Sequence, residues 1–145
     1  MPVSPIPAGY RTLTPGCTLR GAARAIELYQ HVFGAKVRTR LDAPDGTVAH
    51  AELELGDSLL MLGEASEQHP PHGAHLMMYV PDVDGQFQRA VAAGFTVKEP
   101  LQVQFWGDRT GRLADPFGNE WYLGTHVEDV SEEEMKRRMA KLFGG

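Results

Sequence analysis

The stretch Arg109 to His126, RTGRLADPFGNEWYLGTH, decides the reading of this chain, because it splits into two strands around a tight turn. Asp115, Pro116, Gly118 and Asn119 are turn residues for separate reasons: Pro presets φ, Gly accepts positive φ, and Asp and Asn bond their own backbone. With Asp115 facing Glu120 across the loop, the pleat pairs Leu113 with Tyr122, Gly111 with Gly124 and Arg109 with His126 on one face. Trp121 and Leu123 then point to the other face, as core. An earlier stretch, Thr47 to Leu62 (TVAHAELELGDSLLML), has the same form around Gly56-Asp57, a two-residue hairpin signal. Two such hairpins in one chain imply a repeat.

Outward from the hairpins, the same element order occurs twice. Residues 1–9 carry three prolines and read as a loose arm. A strand is expected at about 10–19, with Thr12, Thr14 and Gly16 on one face and Leu13 and Cys17 on the other. Ala22, Ile26, Tyr29 and Phe33 then form a helical stripe that Gly34 stops. A strand at 35–42, the turn Pro44-Asp45-Gly46 and the first hairpin complete β-α-β-β-β, module one, at about 8–63. Residues 64–74 are a polar linker without periodicity. Module two, at about 75–126, repeats the order. Its first strand is His75 to Val80, and its helix runs from the N-cap Asp82 to Ala93, with Val83, Phe87, Ala90 and Val91 inward and Gly94 as stop. A strand near 95–105 precedes the final hairpin. A terminal helix at about 131–143 opens on a Ser131/Glu134 capping box and carries an apolar stripe of Met135, Met139, Leu142 and Phe143.

At 145 residues, one domain spanning 1–145 is expected, and such a domain buries about 70% of its unfolded surface. The single cysteine, Cys17, excludes an intrachain disulfide, and the start MPVSPIPAGY has neither a basic nor an apolar leader region. A cytoplasmic location is the expectation. No apolar run approaches the roughly 20 residues of a membrane span. A net charge of -5 without a Lys/Arg cluster argues against nucleic acid.

The alternation along the strands marks where a site belongs. Ala49, Ala51, Leu53 and Leu55 suit a helix-covered face, while Val48, His50, Glu52 and Glu54 share the other face with Gly63, Met61 and Leu59. Glu54 is read as solvated. The matching face of module two carries His75, Met77 and Tyr79 on its first strand and Tyr122, Gly124 and His126 on its last. Two mixed faces, each opposite a covered one, imply two curved mixed sheets around a cleft. Beside it lies Phe105-Trp106-Gly107-Asp108-Arg109, where two aromatics and the ion-pairing couple Asp108 and Arg109 are expected to shape one wall of a pocket. Trp106 is the better ligand-contact candidate, whereas Phe105 fits core and pocket equally. His50 and Glu52 are read as a hydrogen-bonded pair in a polar wall; with His75 they make an alternative three-ligand metal site. His69 and His72 are loop residues, and His126 either contacts Arg109 or ends a strand. Cys17 has no adjacent base, and no Ser-His-Asp spacing, P-loop or dinucleotide glycine pattern is present.

Two β-α-β-β-β units together with AARAIELYQHVFGAKV, HAELELGDSLLML and DRTGRLADPFGNEWYL resemble the vicinal oxygen chelate superfamily of glyoxalases, extradiol dioxygenases and bleomycin resistance proteins. HAELELGDSLLML, FWGDRTGR, DPFGNEW and THVEDVSEEEMKRR look most like its demethylubiquinone methyltransferase-like branch. The resemblance implies an α+β fold of paired glyoxalase-like modules plus a C-terminal helix, and often a homodimer. In metal-dependent members four cavity side chains hold a divalent ion, and their places fall on Thr14, Met61, His75 and Tyr122. Of these only His75 is a good ligand for such an ion.

The expected function is therefore small-molecule binding without a metal cofactor, the ligand unidentified. The cavity residues would be His50, Glu52, Met61, His75, Met77, Tyr79, Trp106, Arg109 and Tyr122. The alternatives are a metal-dependent lyase, isomerase or dioxygenase with a rebuilt centre at His50, Glu52 and His75, and a scaffold domain with a vestigial cavity. A homodimer is expected from the apolar stripe of the terminal helix.

Overall fold

The computed structural model describes residues 2–144, which form two compact units. The first runs to Ala74 and takes in the turn Phe117–Asn119; the second is His75–Pro116 together with the chain from Glu120 onward. The first contains β1 (Gly16–Leu19), α1 (Ala22–Phe33), β2 (Lys36–Asp42), β3 (Val48–Leu55) and β4 (Ser58–Glu64). The second contains β5 (His75–Tyr79), α2 (Val83–Ala92), β6 (Thr96–Val103), β7 (Asp108–Ala114), β8 (Glu120–His126) and α3 (Glu132–Phe143). Each forms a four-stranded mixed sheet, ordered β1-β4-β3-β2 and β5-β8-β7-β6, whose first pair is parallel and whose others are antiparallel. This is the expected α+β fold of two β-α-β-β-β modules with a C-terminal helix.

The helices α1 and α2 each bury an apolar stripe. In α1, Ala22, Ala25, Ile26, Tyr29 and Val32 are buried, and Gly34 ends the helix at φ 68°. In α2, Val83, Gln86, Phe87 and Ala90 are buried, whereas Val91, expected inward, is exposed. Both helices are capped by the last strand of their own sheet. The Glu64 carboxylate of β4 accepts from the Gly21 and Ala22 amides, the nearest at 3.0 Å, and the Thr125 hydroxyl of β8 accepts from the Val83 amide at 2.9 Å. Among the described residues, no helix is long and apolar enough to cross a membrane.

Four expectations are corrected. The first strand starts at Gly16 rather than about 10, because Pro15 cannot donate to a ladder, and Leu13 is exposed. In β3 the alternation breaks at its start: Val48 is buried and Ala49 exposed, since Leu41 faces His50 while Asp42 faces Val48, leaving Ala49 as an extra residue. The first hairpin does have the expected two-residue turn, Leu55 facing Ser58 with Gly56 at φ 60°. In the second hairpin Ala114, not Asp115, faces Glu120, so the loop has one residue more and every pairing moves by one: Arg112 with Tyr122, Thr110 with Gly124, Asp108 with His126. Asp115 is drawn out of the ladder to accept from the buried Trp121 indole at 2.9 Å, and Asn119 donates to the Tyr29 hydroxyl at 2.9 Å. Finally, α3 keeps the exposed apolar stripe expected of it and buries none of its residues, but its capping box is only half made. Ser131 Oγ accepts from the Glu134 amide, but the Glu134 carboxylate pairs with Arg137 and Arg138.

Candidate functional site

In the first unit the open face of the sheet is a groove in two adjoining parts that share Met61. One part, about 540 Å³, lies between the sheet and the N-terminal arm, with Ile6, Pro7, Tyr10, Arg38 and Glu52 in its walls. The other, about 410 Å³, is lined by Gly16, Thr18, His50, Gly63, His69 and His72, because the linker folds back through paired Thr18 and His72 backbones. The arm is tied down by Arg38, whose guanidinium donates to the Ala8 carbonyl and stacks over the Tyr10 ring at 5.2 Å. His50 Nε2 lies 2.9 Å from Glu52 Oε2, so these two form the expected polar pair. The Tyr10 hydroxyl is sealed from solvent beside the Glu52 carboxylate without completing a well-formed hydrogen bond. That hydroxyl first, and His50 second, hold the Glu52 carboxyl below the usual range.

In the second unit the open face is organised by Asp108, which is 2% exposed. Its Oδ2 accepts from the Tyr79 hydroxyl at 2.6 Å and from the Trp106 indole at 3.0 Å; its Oδ1 lies 2.8 Å from His126 Nδ1. Burial alone would raise the Asp108 carboxyl, but Tyr79, His126 and Trp106 outweigh it and hold it low. Tyr79 is raised in turn by its bond to that carboxylate. Next to this cluster, Gln104 donates to Thr110 at 3.0 Å and Thr110 to the Tyr122 hydroxyl at 2.9 Å, while the Arg112 guanidinium lies 4.4 Å over the Tyr122 ring. The carboxylate is saturated, so what the face offers a ligand is aromatic and thioether surface: Tyr79 is 60% exposed and Met77 43%.

His50, Glu52 and Met61 belong to the first unit; His75, Met77, Tyr79, Trp106, Arg109 and Tyr122 belong to the second. His75 is exposed and faces Glu120 at 3.7 Å. Arg109 turns away from the open face, its guanidinium donating to both oxygens of Asp84 on α2, at 2.9 and 2.8 Å. His126 meets Asp108 rather than Arg109. Thr110 and Arg112 were missed as site residues, because the one-residue register difference put the wrong side of β7 on the open face; Gln104, which precedes β7, was missed as well, and Asp108, expected to pair with Arg109 in the pocket wall, instead binds Tyr79, Trp106 and His126. The available signal was the buried role that Asp115 plays for Trp121, which lengthens the loop.

The residues at the inherited metal places do not fit a divalent ion. Thr14 and Met61 bring a hydroxyl and a thioether, and the phenol of Tyr122 is occupied as an acceptor from Thr110, which leaves His75 as the sole ordinary donor. Among the described residues no three His, Cys, Asp or Glu side chains are grouped as a metal would need.

Residues 18–123 match the Glyoxalase/Bleomycin resistance protein/Dioxygenase superfamily. Mb0911c of Mycobacterium bovis, an uncharacterized protein, is 38% identical over 92% of this chain and 95% of its own length. TioX from Micromonospora sp. ML1 superposes with a TM-score of 0.70 at 28% identity, covering 81% of this chain and 99% of its own. TnmS3 from Streptomyces sp. CB03234, an antibiotic binding protein, superposes at 0.64 with 20% identity, covering 88% and 99%. With its two β-α-β-β-β units and this match, the chain belongs to the glyoxalase/bleomycin resistance protein/dioxygenase superfamily.

Proposed function

We propose that this protein binds a small apolar or aromatic molecule on the open faces of its sheets and does so without the divalent ion used by enzymes of its superfamily. The observation that carries the reading is the exchange of chemistry on those faces. Thr14, Met61 and Tyr122 stand at the ligand places, and within the second unit a buried Asp108 fixes the aromatic groups of Tyr79 and Trp106. The fold shared with an antibiotic binding protein supports the same class. Glu52 in the first unit, or His75 in the second, would orient a ligand by one or two polar bonds, and in the second unit Trp106, Tyr79 and Met77 would supply contact area. Kinship with the demethylubiquinone methyltransferase-like branch is part of this reading and rests on its motifs. A cytoplasmic location and a homodimer are also part of it, the dimer favoured by an α3 whose Leu142 and Phe143 are 65% and 80% exposed.

The deciding experiment pairs elemental analysis of mildly purified protein with a screen of aromatic, cationic and acidic compounds. Hits weakened by Trp106→Ala, in protein without stoichiometric metal, are expected. One equivalent of zinc, nickel or iron that His75→Ala removes would instead favour a metal enzyme using His50, Glu52 and His75. A screen without hits would favour a scaffold.

A further inference from the structure

The carboxylate that fixes Tyr79 and Trp106 also holds the chain leaving β8. The Val127 and Glu128 amides both donate to the Gly107 carbonyl, at 2.9 and 3.0 Å. A Cβ on Gly107 would run into the Glu128 carbonyl, so this segment lies flat on the turn that carries Trp106. Arg138 of α3 fastens it further on, donating to both Glu128 oxygens at 3.0 Å and to the Phe105 carbonyl at 3.1 Å. At the centre is His126. Its Nδ1 faces Asp108 at 2.8 Å and its Nε2 faces Asp129 at 2.7 Å.

An imidazole can donate to two carboxylates only when both nitrogens carry protons; a neutral ring turns one lone pair toward an anion. Of the two bonds, the one to Asp129 yields first. Asp129 is fully exposed, whereas the Asp108 side chain is 3% exposed and fixed by two further donors. We propose that His126 is a proton-operated clasp, closed when doubly protonated and open at Asp129 when neutral, which ties the segment leading into α3 to the carboxylate positioning Tyr79 and Trp106. The clasp rests on the binding reading in one respect, that the wall it tightens is the ligand wall.

The charged groups facing the ring are Asp108 from β7 and Asp129 from the segment after β8. Tyr79 of β5 is bound to the other oxygen of Asp108, and Arg138 of α3 is engaged by Glu128 and Glu134. Asp129 first and Asp108 second raise the imidazolium above its ordinary pKa. Because the folded value is the raised one, the clasp is fully present below the ordinary histidine value of about 6.5 and is lost as pH rises through the raised value.

The test needs no ligand, so its failure and that of the binding reading are separable. In an NMR titration of the full chain, the His126 ring, the 127–131 amides and the Trp106 indole N–H should move with one midpoint above about 6.5. Relaxation should report faster motion in 127–131 above that midpoint. The Trp121 indole, bound to Asp115, should not follow. Asp129→Asn should lower the ring's proton affinity by about tenfold, and His126→Gln should abolish the transition. A wild-type midpoint at or below about 6.5, an Asp129→Asn midpoint equal to wild type, or a 127–131 segment equally rigid across the titration would each overturn the clasp.

Discussion

The two units are one frame carrying two different faces. Leu53 faces Leu60 in the first where Leu113 faces Trp121 in the second, and all four are buried. Glu64 and Thr125 hold register-equivalent ends of β4 and β8, and each caps the helix of its own unit. On the open side the correspondence ends. The residue opposite Met61 is Glu52, an acid held ionised by Tyr10 and His50; the residue opposite Tyr122 is Arg112, a cation stacked on that ring. The helix-covered face and the caps define the repeat, and the face that needs only hydrogen-bond satisfaction is where the units differ.

The sharpest way to break this contrast is to remove each face's acid. Asp108→Ala deletes a buried acceptor and strands Tyr79, Trp106 and His126. It should cost about 3–5 kcal/mol of unfolding free energy in denaturant titrations. Glu52→Ala removes a half-buried acid from a groove that water reaches and should cost at most about 1 kcal/mol. Equal costs would mean that the first unit's face is as tightly organised as the second's.

Ligand binding is the next largest effect. If the second unit supplies the contact area, Trp106→Ala should weaken a screening hit by tenfold or more, roughly 1.4 kcal/mol, in calorimetry. Met61→Ala in the first unit should do less. The reverse ranking would move the main contact surface to the groove under the N-terminal arm.

Caps sharpen the comparison by their redundancy. The N-cap residue of α1 is Gly21, which has no side chain to offer, so Glu64 is the side chain that serves that end. At α2, Asp82 also accepts from the Gly85 amide. Glu64→Ala should therefore cost about 1 kcal/mol, and Thr125→Val clearly less, measured as shifts in thermal midpoint. A larger loss at Thr125 would show that its 2.7 Å bond to the Val80 carbonyl matters more than the cap.

Most of the frame was legible because it is written in periodicity and punctuation. The stripe of Ala22, Ile26 and Tyr29, the Gly34 stop, the Gly56-Asp57 turn and the core position of Trp121 follow from spacing alone. The site was less legible because a strand's face depends on a register that one loop residue sets. Counting Asp115 into the ladder put Arg109 on the open face and hid Thr110, Arg112 and the anchoring role of Asp108. The bulge at Ala49 exchanged Val48 and Ala49 in the same way. The Tyr10 contact was out of reach, because residues 2–15 form no regular element and no period records where they lie.

That contact gives the smallest expected effect. The Tyr10 hydroxyl is buried beside Glu52 yet makes no well-formed hydrogen bond, so removing it exchanges little. Tyr10→Phe should change stability at neutral pH by less than about 0.5 kcal/mol, because the ring keeps its stacking with Arg38 and no buried donor is left stranded. Its influence should appear in acid instead. Glu52 titrates below its ordinary value of 4.5 in the folded chain, so its contribution is present above that value and is lost as pH falls through the depressed one. With the hydroxyl gone, the carboxyl should take its proton at higher pH and that loss should begin earlier, as an NMR titration of the Glu52 side chain would show. A Tyr10→Phe variant that loses 1 kcal/mol or more at neutral pH would instead mean that the pair closes into a full hydrogen bond in solution, giving the first unit a buried polar anchor comparable in kind to Asp108.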